Sequence, residues 1–369
     1  MIEKPAASPS RKTATAARRG RSPVPACVAA ILLLGFAWTI RPALAEPPPT
    51  RLTFASTFPG DMKLIGTGAQ ELADRISRAT AGQLLLEFHE PGSLVPAAET
   101  LEAVSSGAID AGWGGAGWFN TVDSAFNMFS AMPFGPGMGE YLAWMYHGGG
   151  LDMAREMFAR HNIHNIPCAV IPPEASGWFR KEIATIQDLR GLRMRFFGLG
   201  AKVMERLGVT TLQLPPGDVL AALQRDEIDA AEFSLPQMDQ DLGFQGTARY
   251  YYFPGWHQQA TFFDLYINSA VWAALPDPQK AIVELACGDM IRHTIAAGEA
   301  AQWRAMREMQ AAGVQIRRWP PEIIAAMESA WNEVAEEEAR RNPTFRRVYD
   351  SYMAFRRDYA IWHDHAYLK

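Results

Sequence analysis

The stretch Leu101–Ala111, LEAVSSGAIDA, has a second copy at Leu220–Ala230, LAALQRDEIDA. The spacing from the leading leucine to Ile-Asp-Ala is the same in both copies. Each copy predicts the end of an amphipathic helix, a tight turn and an apolar strand. Two copies of one helix–strand unit favour two similar α/β lobes with a cleft between them. The alternative is a chance match of a phrase that is common in α/β proteins.

The N-terminus has the layout of a secretory signal peptide. Basic residues precede the apolar run Val24–Ile40, and Ala43–Ala45 offers a small-x-small cleavage site. The run is slightly short for a membrane span, so we expect cleavage and export, with an uncleaved anchor as the alternative. Losing residues 1–45 removes seven of the 35 basic and one of the 40 acidic residues, which leaves a net charge of −11. A nucleic-acid partner is therefore not expected.

Strand and helix patterns alternate along the chain and restart after a Gly-rich, aromatic stretch at Gly112–Gly150. The alternation predicts an α/β fold with parallel sheets wound right-handed. From Asp277 onward long helical patterns dominate, and they either brace the lobes or form a dimer interface. The predicted organisation is a signal peptide at 1–45, lobe I at 46–168 completed by about 259–300, lobe II at 169–258 and a C-terminal helical region at 301–369.

Two cysteines remain after export, since Cys27 leaves with the signal peptide. Cys168 lies in an apolar stretch and Cys287 in a helical pattern. Two buried free thiols are the preferred prediction, although an exported protein can form a disulfide.

Catalytic signatures are scarce. The sequence contains no Gly-x-Ser-x-Gly elbow, P-loop, His-Glu-x-x-His or Cys-x-x-Cys. Arg193 and Arg195 alternate along a predicted strand in an otherwise apolar setting. A buried arginine needs an anionic partner, because a lone buried charge is costly. That partner is either a ligand carboxylate held by two hydrogen bonds or a carboxylate of the protein itself.

With these features the chain resembles the DctP-type extracytoplasmic solute receptors of TRAP transporters, which are tripartite, ATP-independent periplasmic systems. The resemblance covers nearly all of the mature chain, in order. It is carried by Pro96–Trp118, Pro133–Gly135, Tyr146–Gly150, Gly177–Lys181, Asp188–Arg195, Leu214–Gly217, Ile228–Phe233 and Tyr250–His257. The chain looks most similar to the branch that binds 2-oxo acids or lactate.

The resemblance implies a two-lobed periplasmic binding protein fold and residue roles. The carboxylate-binding arginine of the family falls on Arg195. In the oxo-acid branch a bound cation helps to hold the ligand, and its ligands fall on Glu174, on the pair Glu232 and Phe233, and on Gln258. The branch has Gln and Glu where this chain has Glu174 and Gln258, and Trp where it has Phe233. A site for Na⁺ or Ca²⁺ and a metal-free site, in which a hydroxyl or amine of a different ligand donates a hydrogen bond to Glu174, both stay open.

Aromatic side chains are expected to line the ligand pocket, and they suit a ligand with an apolar tail or ring. They are Trp113, Trp118, Phe134, Phe196, Phe233 and Trp256.

The resemblance implies a periplasmic receptor that captures a small 2-oxo, hydroxy or aromatic carboxylate and delivers it to an ion-gradient-driven TRAP permease. A homodimer through the C-terminal helices is one option for its assembly. There are two alternatives. One is an exported α/β enzyme, in which Glu174, Glu232 and His257 would be the catalytic residues. The other is a receptor that signals to a sensor protein. No catalytic residue is assigned, and the sequence does not name the ligand.

Overall fold

The computed structural model describes residues 48–368, so the predicted signal peptide lies outside the described residues. Within them no helix has the length and apolar character needed to cross a membrane. Eleven strands form two sheets. The strands are β1 (Thr50–Ser56), β2 (Leu84–His89), β3 (Ala111–Gly114), β4 (Ile163–Ile171), β5 (Gly177–Phe179), β6 (Arg193–Arg195), β7 (Thr210–Leu212), β8 (Ala230–Ala231), β9 (Tyr250–Phe253), β10 (Thr261–Asn268) and β11 (Gln315–Arg318).

Helices cover the sheets on both sides. The α-helices of residues 48–368 are α1 (Gly66–Ala79), α2 (Thr100–Ser106), α3 (Met138–His147), α4 (Gly150–Ala159), α5 (Gly198–Arg206), α6 (Val219–Gln224), α7 (Pro236–Leu242), α8 (Ser269–Ala274), α9 (Asp277–Ala311), α10 (Pro321–Arg341) and α11 (Pro343–Ala366). Helix α3 lies in the stretch Gly112–Gly150, which the sequence marked only as Gly-rich and aromatic, and α4 begins at its last residue.

The two copies of the repeated phrase fold alike, one in each sheet. Helices α2 and α6 end in left-handed residues, Gly107 and Asp226, and strands β3 and β8 start at the alanine of Ile-Asp-Ala. The aspartate of Ile-Asp-Ala makes equivalent hydrogen bonds in both copies. Asp110 accepts hydrogen bonds from Thr53 of β1, and Asp229 accepts them from Arg193 of β6. Each carboxylate thus ties its turn to the neighbouring strand.

Both sheets are mixed, so the prediction of parallel sheets was wrong in part. The first sheet has the order β2-β1-β3-β10-β4, and β10 runs antiparallel to β3 and β4. The second sheet has the order β11-β9-β5-β8-β6-β7, and β5 runs antiparallel to both its neighbours. The chain crosses between the sheets at 172–176 and 254–260, and the strands that follow these crossings, β5 and β10, are the ones that run antiparallel to their neighbours.

The C-terminal helices contact parts of both sheets. Helix α10 packs on α5, which follows β6 of the second sheet, and Arg206 of α5 pairs with Glu333 of α10. Helix α11 packs on α3 and α4 of the first-sheet side. Asn342, between them, caps α11 through the backbone N–H groups of Thr344 and Phe345. The helices therefore brace the two halves, one of the two roles that the sequence left open.

Cys168 and Cys287 form a disulfide, so the prediction of free thiols was wrong. Cys168 lies in β4 where its register with β10 shifts, and Cys287 lies on the buried face of α9, which packs along β4. Burial alone could not distinguish two separate thiols from a facing pair, because the pairing depends on how α9 docks.

Candidate functional site

A cavity lies where the ends of the two sheets face each other. We call two parts of its lining the apolar wall and the polar wall. The apolar wall belongs to the first-sheet side and consists of Phe58, Met62, Ile65, Trp118 and Phe263. The polar wall comes from the second sheet and the crossing segments and consists of Glu174, Arg195, Glu232, Ser234 and Gln258.

Arg195 ends strand β6 and is 3% exposed. Its Nη1 donates to the backbone oxygen of Glu232 at 2.8 Å and to Glu232 Oε2 at 2.6 Å. The Nε atom is buried and has no hydrogen-bond partner within residues 48–368. The structure therefore shows the second alternative for this arginine, a carboxylate of the protein itself. One edge of the guanidinium is paired with a carboxylate of the protein, while Nε keeps a free donor at the cavity.

The short turn after β6 also binds Glu232. The backbone N–H of Phe197 donates to Glu232 Oε2 at 3.1 Å, just before α5 begins at Gly198. Gly198 has φ of 64°, a left-handed conformation that glycine adopts without strain. The turn before α5 therefore lies against an anion, the Glu232 side chain.

Glu174 and Gln258 meet at the point where the two crossing segments run side by side. The Glu174 N–H donates to the Gln258 backbone oxygen at 3.2 Å, and Glu174 Oε1 accepts from the Ser234 hydroxyl at 3.1 Å. Gln258 Oε1 accepts from the Thr261 hydroxyl at 2.6 Å. Both side chains are about 95% buried, so their orientations are fixed by the fold and not by solvent.

His257 completes a compact cluster with the two glutamates. Its Nε2 lies 3.4 Å from Glu232 Oε1 and 3.7 Å from Glu174 Oε2. One ligand atom from each of the three residues lies within 4.8 Å of the others, a spacing that could hold a metal ion. Glu174 Oε2 and Glu232 Oε1 are buried and have no hydrogen-bond partner in the described chain. Two unsatisfied carboxylate oxygens side by side fit a hard cation.

Burial and the neighbouring charges shift the pKa values of the two glutamates of this cluster in opposite directions. Burial raises the pKa of Glu174 to about 7, and the charge of Glu232 adds to this effect. Burial also acts to raise the pKa of Glu232, but Arg195 and His257 hold it below its usual range. Burial acts to lower the pKa of His257, but the two glutamates raise it. The negative charge of the cluster therefore resides first on Glu232.

Other predicted site residues are divided between the cavity and its surroundings. Phe233 lines the cavity, and its ring lies 5.7 Å from Arg195 Cζ. Trp118 lines the cavity and packs on Phe197 with ring centroids 4.8 Å apart. Phe134 and Trp256 pack on each other at 5.6 Å and lie outside the set of residues that line the cavity.

Sequence reasoning did not place His257 in the cation set, and of the apolar wall it placed only Trp118 in the pocket. His257 was within reach, because it directly precedes Gln258 in a motif that had already been singled out. The segment that carries Phe58, Met62 and Ile65 gave no such signal. Its residues are ordinary core types, and their position at the cavity depends on how the two sheets face each other.

The fold and this site define a class of protein, a two-lobed solute-binding receptor. Residues 55–342 match the family model of bacterial extracellular solute-binding proteins, family 7. The chain belongs to this family, which confirms the resemblance to TRAP solute receptors inferred from its motifs.

Similar proteins support the family assignment. A monocarboxylate 2-oxoacid-binding periplasmic protein of Nostoc sp. is 32% identical over 317 residues, which are 85% of this chain and 86% of that protein. A TRAP solute-binding protein from Bordetella bronchiseptica has a TM-score of 0.84 at 33% identity, over 87% of this chain and 95% of that one. Its crystal is described as a mixed occupancy dimer with copurified calcium and picolinate in one active site and the other apo.

A third relative carries a different cation and ligand. The TRAP periplasmic solute-binding protein from Pseudoalteromonas atlantica has a TM-score of 0.83 at 26% identity, over 86% of this chain and 97% of that one. It was crystallised with sodium and pyruvate.

Proposed function

We propose that this chain is the periplasmic receptor of a TRAP transporter and that it binds a monocarboxylate together with a cation. The observation that carries the proposal is the charge balance of the cavity. Arg195 is the only basic side chain among the described residues that line it, and Glu232 already offsets its charge. Glu174, whose pKa is raised to about 7, is partly charged at neutral pH and has no basic partner of its own among the described lining residues. A ligand carboxylate would add an uncompensated negative charge to a buried space, which is costly without a cation.

The unpaired atoms indicate how the ligand carboxylate and the cation are bound. Arg195 Nε supplies a free donor for a ligand carboxylate. Glu174 and Glu232 would hold the cation, with Gln258 and the backbone of Phe233 as further oxygen donors and His257 as the third side chain of the cluster. A bound Na⁺ or Ca²⁺ would supply positive charge and an electrophilic contact for the ligand oxygens. A second carboxylate on the ligand would face the apolar wall, so dicarboxylates should be excluded.

The relatives support the same ligand class. The Nostoc protein is described as binding monocarboxylate 2-oxoacids, and the crystallised relatives hold picolinate or pyruvate beside calcium or sodium. We infer a receptor without catalytic activity, since family relatives are binding proteins. We also propose that the two sheets form the cores of lobe I and lobe II, with boundaries near residues 168 and 258, and that residues 1–45 are a cleaved signal peptide.

A homodimer through the C-terminal helices belongs to the same proposal. Large apolar side chains stay exposed at the end of α11 and just beyond it, namely Ile361, Trp362, Tyr367 and Leu368. The relative from Bordetella crystallised as a dimer. Light scattering of the intact chain and of a chain with Trp362→Gln tests this part.

Isothermal titration tests the ligand and the cation together. Chelator-treated protein in Na⁺-free buffer should bind a monocarboxylate at least 10-fold more weakly than the same protein with Ca²⁺ or Na⁺ restored. Glu174→Gln should remove most of this dependence, because it removes both a cation ligand and a negative charge. Glu182→Gln is the matched control, since Glu182 is half-exposed, pairs with Arg317 and lies outside the cavity. Equal monocarboxylate affinity with and without cations would refute the cation role, and binding only of amines or sugars would refute the ligand class.

A further inference from the structure

The cavity is much more apolar than a short organic acid requires. Its charged groups are confined to the polar wall, while eight apolar side chains line the rest. They are Phe58, Met62, Ile65, Trp118, Phe197, Pro216, Phe233 and Phe263. We propose, on the basis of the function proposed above, that the monocarboxylate carries an aromatic ring, and that the segment Phe58–Ile65 selects for this ring.

The first argument concerns space. The carboxylate of the ligand is confined to the Arg195 end, because Arg195 is the only basic side chain in the described lining. A three-carbon acid held there has a single methyl group to set against the eight apolar side chains of the lining. The rest of that lining would either lack contacts with the ligand, which forfeits dispersion energy, or face waters that lack polar partners. A ligand with a larger apolar body removes both costs.

The second argument concerns shape. Five of the eight apolar side chains are aromatic, and four of these rings contact one another in pairs. Phe58 and Phe263 meet edge-on with centroids 5.5 Å apart, and Trp118 packs on Phe197. These rings offer faces and edges to a flat guest, and aromatic pairs gain from such geometry beyond the area they bury.

The third argument identifies the selecting segment. Phe58, Met62 and Ile65 all come from the connection between β1 and α1 and are 4–7% exposed. Met62 lines both the cavity and the groove at its mouth, where Pro216 and Leu220 approach from the second-sheet side. The unbranched side chain of Met62 can adapt to the ligand, while Phe58 and Ile65 are more rigid. A larger residue at 62 would occupy the space assigned to the ring.

Three 2-oxo acids with the same head group test the proposal: pyruvate, 4-methyl-2-oxopentanoate and phenylpyruvate, titrated calorimetrically in saturating Ca²⁺. Phenylpyruvate should bind roughly 10- to 100-fold more tightly than pyruvate, the range expected for burying one ring, and more tightly than the branched acid. Met62→Phe should weaken phenylpyruvate at least 10-fold and change pyruvate less than 3-fold. Leu242→Phe, at the mouth but outside the cavity, is the control and should change neither.

The outcomes separate this inference from the function on which it rests. If pyruvate or the branched acid binds as tightly as phenylpyruvate, the proposal that the ligand carries an aromatic ring is refuted. The proposed receptor function would still stand. Equal losses for both acids in Met62→Phe would overturn the selecting role of the segment. If none of the three acids binds in Ca²⁺, the proposed monocarboxylate function itself fails.

Discussion

The apolar wall and the polar wall begin at equivalent points of the two repeated units. After β3 the chain continues through glycines and alanine to Trp118, whereas after β8 it continues with Glu232, Phe233 and Ser234. The glycines permit a close approach, since a Cβ on Gly117 would lie 2.9 Å from the ring of Phe197. One unit therefore ends in a contact surface and the other in a charged binding surface.

The difference between the two walls indicates the order in which ligand binding and closure occur. Every charged group that lines the described cavity lies on the second sheet or on the crossing segments. The ligand head group and its cation can therefore bind to the polar wall while the first-sheet side is still apart. Closing the apolar wall then desolvates no charge of its own and gains hydrophobic contact with the ligand and with Phe197. The following predictions test this division, from the largest expected effect to the smallest.

Removing the charge of Arg195 should have the largest effect. Arg195→Met leaves Glu232 buried without its cationic partner, and we expect a loss of roughly 3–5 kcal/mol in the free energy of unfolding. Monocarboxylate binding should fall at least 100-fold, because the free Nε donor is lost as well. Chemical denaturation and calorimetric titration measure the two effects.

A second substitution separates stability from binding. Arg195→Met combined with Glu232→Gln should recover much of the stability, because no buried charge is left unpaired. It should not recover binding. A double variant that binds monocarboxylates normally would show that Arg195 is only a structural partner of Glu232.

Breaking the disulfide should destabilise the chain without touching the polar wall. Cys168 and Cys287 are 119 positions apart, so the cross-link restricts a long loop of the unfolded chain. We expect Cys287→Ala to lower the free energy of unfolding by roughly 2–4 kcal/mol. The cation dependence of binding should stay as in the unmodified protein. The same denaturation curves under reducing conditions should show no difference between the two chains. A changed cation dependence would contradict the separation of the two regions.

More of the polar wall than of the apolar wall could be predicted from the sequence. Arg195 could be predicted because a charged residue in an apolar strand is rare and demands a partner, whereas Glu174, Glu232 and Gln258 were implied by the family resemblance. Phe58 and Met62 could not be predicted, since apolar residues in an apolar pattern are ordinary core residues. The antiparallel course of β10 was also missed, because the pattern of one strand does not reveal its direction relative to its neighbours.

The buried acid of the first sheet gives the next prediction. Asp264 has no ion pair within the described residues, and burial raises its pKa to about 7, in contrast to the lowered pKa of Glu232. The folded state therefore favours the neutral acid. The stability that Asp264 contributes is complete below about pH 4, its unfolded pKa, and is lost as the pH rises toward 7. Asp264→Asn should thus gain roughly 1–3 kcal/mol over the unmodified chain at pH 8 and little at pH 4. Equal stability differences at both pH values would contradict the raised pKa.

The smallest effect concerns the mouth of the cavity, where the two sides meet through one ion pair. Lys63, before α1, lies 3.1 Å from Asp241 of α7, and both side chains are about half exposed. Such a pair contributes at most about 1 kcal/mol. Because it joins the first-sheet side to the second, its loss should destabilise the closed form. We expect Lys63→Gln to speed ligand dissociation by a factor of roughly 2–5, and less in high salt.

Reversing the pair decides whether the effect arises from the contact itself. Lys63→Asp should speed dissociation more than Lys63→Gln, because the new carboxylate would repel that of Asp241, and adding Asp241→Lys should restore the slow rate. Arg225→Gln is the control, since Arg225 pairs with Glu227 within one turn of the second-sheet side and spans no cleft. Stopped-flow displacement of a bound monocarboxylate measures all four chains. If the reversed pair dissociates as fast as Lys63→Asp alone, the closed state is held by the apolar wall, and the exposed charges at the mouth contribute nothing to it.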